Sequence, residues 1–344
     1  MRTLLPGSFW PSVHRWATNG TWPPSTAEGA TLLIERCSWH GLLPLLFAET
    51  DLPPSVEQAL AAAIGWRRIL GMRAGSFHET TLAVCALLAD EPAILIKGAD
   101  YAHRLYPSGH LRPMADIDVL VPADRIDAIC ERLTNAGLVR QRASGAERDP
   151  AYHERVFSFG KVLVEIHQAF IQRERHRIDY DGIWRRRVPA EIGGRNAFRL
   201  DDVDALIYQA LSISLGQFHA RFIRYVDLWL LLQQRDGIAL AAAERSRDWQ
   251  TTRALYGALS MGCRLFPEFR TDDVSAAMKH ALPAATRRFV DRWVLPRPSE
   301  LQRVTHPSRV LQLWRKAFLM DTPRRRLAFA HSHALATFRG RRSG

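Results

Sequence analysis

Apolar residues recur every three or four positions through both ends of the chain, and strict period-two alternation is confined to the middle. In residues 26–90 the segments TLLIERCSWHGLLPLLFAE and Val56 to Leu88 keep helical spacing with few breakers, which predicts an N-terminal helical region over residues 1–90. Residues 91–170 then change period. They predict a strand over Ala93–Lys97, a helix from Ala99 to Leu105, a strand over Asp116–Val121, a helix from Ala123 to Ala136 ended by Gly137, and a hairpin from Val156 to His167. The hairpin reads VFSF-GK-VLVEIH, and glycine at the first position of a two-residue loop selects a type II′ turn. After an arginine-rich linker over 173–187, a second short hairpin turns at Gly193-Gly194, and Asp201 or Asp202 caps a new helix. Residues 203–293 are helical again, including ALIYQALSISLGQF and Phe222–Gln234, until Pro296 and Pro298 break the pattern. The expected fold is α+β: a small mixed β-sheet core over 91–200, N-terminal and C-terminal helical bundles over 1–90 and 201–295, and a basic tail over 296–344.

Composition narrows the class. A chain of 344 residues with 47% hydrophobic content can bury a real core and is not a disordered segment. Its four cysteines, Cys37, Cys85, Cys130 and Cys263, form no CxxC pair, which fits neither a zinc site nor a disulfide framework and points to a reducing cytosol. The first residues, MRTLLPGSFWPSVHRW, lack a basic segment followed by a sustained apolar run, and no window is apolar enough to span a membrane. The formal charge of +12 is almost all arginine, because Lys97, Lys161, Lys279 and Lys316 are the only lysines. Such a skew reflects genome base composition as readily as a polyanion partner, so RNA stands as a secondary possibility. The tail beyond Thr322 carries Arg324, Arg325, Arg326, Arg339, Arg341 and Arg342 without one acid, a pattern of a solvated, partly helical end or of a polyanion contact.

Candidate chemistry lies in ILIKGADYAHRLYPSGHLRPMADIDVLV, Ile94 to Val121. Successive strand side chains point to opposite faces, so Asp116 and Asp118 project together while Ile117, Val119 and Val121 project into a core. Two carboxylates on one face suit a hard divalent cation, which takes oxygen ligands and keeps phosphate oxygens in its shell. On the last strand of the hairpin Leu163, Glu165 and His167 share a face. Glu165 within that apolar run needs a partner, and a metal shared with Asp116 and Asp118 supplies one; the alternative is an exposed position on an edge strand. Lys97 and Arg112 are candidate cations for a triphosphate, arginine through two parallel hydrogen bonds, although a strand-end lysine and a surface ion pair are the plain readings of both. His167 and, more remotely, His219 remain candidates beside structural readings.

The order Lys97-Gly98, Arg112, Asp116-x-Asp118, Glu165-Ile-His167 and Arg224-Tyr225-Val226-Asp227 resembles the uncharacterised nucleotidyltransferase family of the DNA-polymerase-beta-like superfamily, over roughly residues 30–240. The resemblance implies a small mixed sheet with flanking helices, Mg²⁺ or Mn²⁺, and a nucleoside triphosphate as donor to an acceptor it does not identify. It makes Asp116 and Asp118 the metal pair, Glu165 the third carboxylate, and Gly98 the turn at which backbone approaches phosphate, with Lys97, Arg112 and His167 nearby. Two features depart from the wider superfamily: the glycine step is Gly98-Ala99 with no hydroxyl, and Gly98 lies farther from Asp116 than in minimal members. A degenerate scaffold of the same fold stays open for that reason. A metal-dependent glycosyltransferase and a haloacid-dehalogenase-like phosphatase fit less well, because both place a hydrophobic strand before the acids and here Pro113 precedes them.

Overall fold

The computed structural model describes residues 5, 7–18, 21–141, 153–172, 175–302 and 309–327. The fold is α+β. Helices α1 (Phe9–Thr18), α2 (Ala27–His40), α3 (Leu43–Ala48), α4 (Pro54–Ala62) and α5 (Ile64–Leu87) come first. Seven strands follow: β1 (Ile94–Ile96), β2 (Asp116–Leu120), β3 (Val139–Arg140), β4 (Glu154–Phe159), β5 (Val162–His167), β6 (Val188–Ile192) and β7 (Arg195–Arg199). Helices α6 (Gly98–Arg104), α7 (Ile126–Asn135) and α8 (Tyr180–Arg186) are interleaved with them. The chain continues through α9 (Asp202–Leu215), α10 (Phe222–Leu232), α11 (Ile238–Asp248), α12 (Thr252–Leu265), α13 (Asp272–Ala281), α14 (Ala284–Phe289) and α15 (Arg309–Phe318). Among the described residues no helix is long and apolar enough to cross a membrane.

The strands form one mixed sheet in the order β3-β4-β5-β2-β1-β7-β6. Parallel pairing joins β2 to β5 and β1 to β7, and the other neighbours run antiparallel. Both anticipated hairpins are present. Gly160 takes φ +57° in the loop between Phe159 and Val162, and Gly193 and Gly194 take +54° and +77° between Ile192 and Arg195. A residue with a Cβ rarely adopts such angles, so the glycines set these registers. Gly137 at φ +90° ends α7, its amide donating to the Thr134 carbonyl while Leu138 donates to Leu133. Helix α1 falls within the N-terminal helical region expected over residues 1–90, whereas the two-residue strand β3 is too short to display a period.

One face of the sheet is apolar over its central strands, β1, β2 and β5. Ile117, Val119 and Val121 from β2 and its end, and Val162, Val164 and Ile166 from β5, join Ile126, Ile129 and Leu133 of α7 in a single buried cluster. The second half of α5 also belongs to that cluster, through Phe77, Val84 and Cys85. The long N-terminal helix is therefore part of the sheet's own core as well as of the N-terminal helical region. β5 lies between β4 and β2, so Glu165 is on an interior strand and not on an edge.

The chain divides into two compact units. Residues 1–170, 183–201 and 221–231 make the first, which holds every described strand and most of α10; residues 171–182, 202–220 and 232–344 make the second, whose described elements are all helices. Within the first unit a buried ion pair joins the approach to β2 to α10. Arg112 donates from Nε and Nη2 to the two Asp227 oxygens at 3.2 and 2.7 Å, and Tyr106 donates to Oδ1 at 2.8 Å. Asp227 is fully buried. Removing one partner of such a pair leaves an uncompensated charge in a dry site, so Asp227→Ala should cost about 3–5 kcal/mol of stability. Substituting both ends, Arg112→Met with Asp227→Leu, should recover most of that loss. The midpoints of urea unfolding check both, and a loss under about 1 kcal/mol in the single variant would show that the pair is dispensable.

Candidate active site

β1 ends in an unusual turn. Lys97 takes φ +52° and ψ −129°, a region that β-carbon sterics leave almost entirely to glycine. Ile96 pairs with Asp118 across the β1–β2 ladder, and the turn at the next residue brings the lysine side chain back over that neighbour. Lys97 Nζ lies 2.5 Å from Asp118 Oδ1. Such a backbone costs on the order of 1–3 kcal/mol, and the ion pair it permits is the visible return on it.

Gly98 follows and opens α6. A Cβ at this position would meet the Arg112 Nη1 atom and the Met114 Cγ atom, each at 2.9 Å, so the guanidinium and the methionine lie directly against the glycine backbone. Arg112 also donates from Nη1 to the Pro113 carbonyl at 2.8 Å. Gly98, Arg112 and Asp227 thus form one packed arrangement. Ala99 is fully buried in the apolar cluster, so position 99 faces the core.

The three predicted acids arrive on two adjacent parallel strands. Asp116 is opposite Leu163, Asp118 opposite Glu165 and Leu120 opposite His167. Ligand atoms of Asp118, Glu165 and His167 lie within 4.8 Å of one another, a spacing that one metal ion can bridge. Asp116 is not a member of that tightest group, yet it shares their electrostatic environment: Asp118, Glu165, Lys97 and Arg224 all act on its charge. Asp118 is 1% exposed, and its Oδ1 receives His167 Nε2 at 2.9 Å as well as Lys97. The His167 Nδ1 atom, on the other side of the ring, lies 3.7 Å from Glu154 Oε2, and Glu154 is the cross-strand neighbour of His167 on β4.

These surroundings split the two aspartates. Burial, with the negative charges of Asp118 and Glu165, pushes the Asp116 carboxyl up to about 6, against partial relief from Lys97 and Arg224. Burial also opposes the charge of Asp118, but Lys97 and the His167 hydrogen bond outweigh it and hold its carboxyl well below the usual range. Burial lowers His167, and its hydrogen bonds with Asp118 and Glu165 more than reverse that, so its imidazole is raised.

Comparison with known families decides the kinship. The chain belongs to the uncharacterised nucleotidyltransferase family. That family's model matches residues 26–267, which takes in the whole site and all seven strands. No curated protein matches the chain.

Of the predicted site residues, the structure brings Lys97, Asp118, Glu165 and His167 into direct contact or near it, with Asp116 beside them. Gly98 and Arg112 pack against each other, and Arg112 faces Asp227. His219 belongs to the second unit, where its Nδ1 lies 3.1 Å from the Gln217 carbonyl. Sequence reasoning did not single out Asp227, Tyr106, Arg224 or Glu154 as site residues, though Arg224 and Asp227 stood in the recognised motif RYVD. Four-residue reasoning could have paired neither with its partner, since Asp227 is 115 positions from Arg112.

The split aspartates have opposite consequences for stability. Folding raises the Asp116 pKa, so the native state binds that proton more tightly than the unfolded chain; the cost of ionising it is present above about pH 6 and disappears below the unfolded carboxylate range. Asp116→Asn should therefore stabilise the protein by roughly 1–3 kcal/mol near pH 7.5 and by little near pH 4. The Asp118 pKa is depressed, so its ionised form adds stability above the unfolded value, and Asp118→Asn should lose about 3 kcal/mol at neutral pH by orphaning Lys97 and His167. Urea unfolding of both variants at the two pH values tests this. An Asp116→Asn protein less stable than the parent at neutral pH would refute the charge arrangement.

Proposed function

We propose that the chain is a divalent-cation-dependent nucleotidyltransferase. It moves a nucleoside monophosphate from ATP or another nucleoside triphosphate to an acceptor hydroxyl: the acceptor oxygen bonds to the α-phosphorus, the bond to the bridging oxygen breaks, and pyrophosphate leaves. The observation that carries this reading is the excess of carboxylate at one point of the sheet, where three acids surround a single lysine and Asp116 is left incompletely compensated. Hard oxygen donors in that number fit Mg²⁺ or Mn²⁺. Asp116, Asp118 and Glu165 would hold the cation, which when bound offsets triphosphate charge and lowers the pKa of an acceptor hydroxyl.

The remaining residues have roles that need no cation. Lys97 fixes the Asp118 carboxylate from one side and His167 from the other, so its orientation does not depend on a ligand. Lys97 and Arg224 also supply positive charge near the acids that offsets incoming phosphate. In this reading Arg112 serves the donor through Gly98: the guanidinium is held by Asp227 and packs on the glycine that shapes the turn. The four free thiols, three of them buried, fit a reducing cytosol as the compartment.

A second reading has one observation in its favour. Lys97 ion-pairs with Asp118 and His167 hydrogen-bonds to it without any ligand, as they would in a nucleotidyltransferase fold that has become a scaffold. Metal-dependent stabilisation separates the two: a live site should gain several degrees in melting temperature with triphosphate plus Mg²⁺, and a scaffold should gain nothing that depends on metal.

The direct test is transfer of label from each α-labelled triphosphate into a cell extract with Mg²⁺ or Mn²⁺. The parent should label an acceptor, and its affinity for the divalent cation should rise as pH increases through about 6 because Asp116 must lose its proton to bind it. Asp116→Asn should be folded, more stable than the parent and at least about a hundredfold less active, and Glu165→Gln should lose metal-dependent stabilisation. Activity of Asp116→Asn within a few-fold of the parent would remove the acid pair from the chemistry.

A further inference from the structure

The helical second unit carries a surface that nucleotidyl transfer by the carboxylate site does not use. Phe289 ends α14, and Trp293 follows within a single π-helical turn, Val290–Val294. Their exposures are 38% and 56%, and Trp314 on α15 is 41% exposed. Three of the rings here form a closed cluster, and Trp293 lies four residues beyond one of them, Phe289. Phe289 lies 6.1 Å from Trp314 and 4.8 Å from Phe318, and Trp314 stacks on Phe318 at 5.9 Å.

Guanidinium groups pack on two of these rings. Arg292 lies 5.3 Å from the Trp293 ring centre, while Arg253 and Arg326 lie 4.4 and 5.4 Å from that of Phe318. The neighbouring carboxylates are turned inward to other partners. Asp291 accepts from Tyr256 at 2.6 Å and Ser260 at 2.7 Å, and Asp321 accepts from the Thr252 amide at 2.8 Å and its hydroxyl at 2.7 Å. Trp293, Trp314, Arg288 and Arg292 are exposed, while Arg253 is half-buried beneath Phe318 and paired with Asp321. An exposed aromatic patch of this kind marks an interaction surface, and its cationic frame selects a polyanion.

We propose that this surface binds a single-stranded nucleic acid, with unpaired bases stacked on the exposed Trp293 and Trp314 and backbone phosphates on the exposed Arg288 and Arg292. Flat π-faces set among guanidinium groups match alternating bases and phosphates, because every base offers a face for stacking while the charge follows the backbone. A duplex keeps its base faces stacked inside and could engage the arginines alone. The proposal does not depend on the carboxylate site being active.

Fluorescence anisotropy of the full-length protein with a labelled oligouridylate tests it, with the matching duplex, inorganic polyphosphate and phosphatidylglycerol vesicles as competitors. The single strand should bind more tightly than any of the three. Trp293→Ala and Trp314→Ala should each weaken it about tenfold without changing the salt slope, Trp293→Phe should restore most of the loss, and Arg288→Gln with Arg292→Gln should flatten the slope by about one unit each. Circular dichroism of each variant checks the fold. Absence of oligonucleotide binding, equal affinity for duplex or polyphosphate, preference for vesicles, or ring variants that bind like the parent would each overturn the proposal.

Discussion

Everything at the candidate site depends on keeping Asp118 ionised where water cannot reach it. A carboxylate 1% exposed in the middle of a sheet is among the most costly groups a fold can contain, and only paired charge makes it tolerable. Lys97 provides that charge from the end of β1, and His167 adds a hydrogen bond from the end of β5, both at Oδ1. Each fixes something else. The lysine can reach only because its own backbone adopts a glycine-like turn, which sets where α6 begins; the histidine can reach only because β5 runs parallel to β2 in a register that puts Leu120 beside it. The strand order is thus coupled to one buried charge.

The same logic operates a few residues away with a different outcome. Asp227 is as deeply buried as Asp118, but its partner Arg112 meets it with a bidentate fork and Tyr106 adds a third donor, so all the charge is consumed locally. That pair is a clasp. Around Asp118 the balance is open, because Asp116 and Glu165 add two more acids than Lys97 can offset. Two buried aspartates within one unit therefore have different uses, and the difference lies in the neighbours.

The sheet and its acids were legible because strand chemistry repeats every two residues. DIDVL and VLVEIH state in their own order which side chains face a core and which face away, and the glycines at 160, 193 and 194 state where the chain reverses. What stayed hidden is long-range or conformational. No local pattern says that β5 pairs with β2 rather than lying at an edge, that Arg112 meets a residue 115 positions on, or that Lys97 has a positive φ. Arg112 illustrates the limit. Its chemistry suits a phosphate and a buried carboxylate equally well, and only the fold determines which group stands opposite it.

The unequal titration of Asp116 and Asp118 gives the acid pair an internal division of labour. Asp118 has its counter-charges built in, so its charge and orientation are fixed before anything binds, whereas Asp116 has an unmet electrostatic demand. A site with both carboxylates fully compensated would gain little from a cation, and one with neither compensated would be difficult to fold. Placing the two side by side on one strand gives a rigid anchor next to a group whose energy falls when positive charge arrives. The strain at Lys97 belongs to the first half of that arrangement, and the raised pKa of Asp116 is the trace of the second.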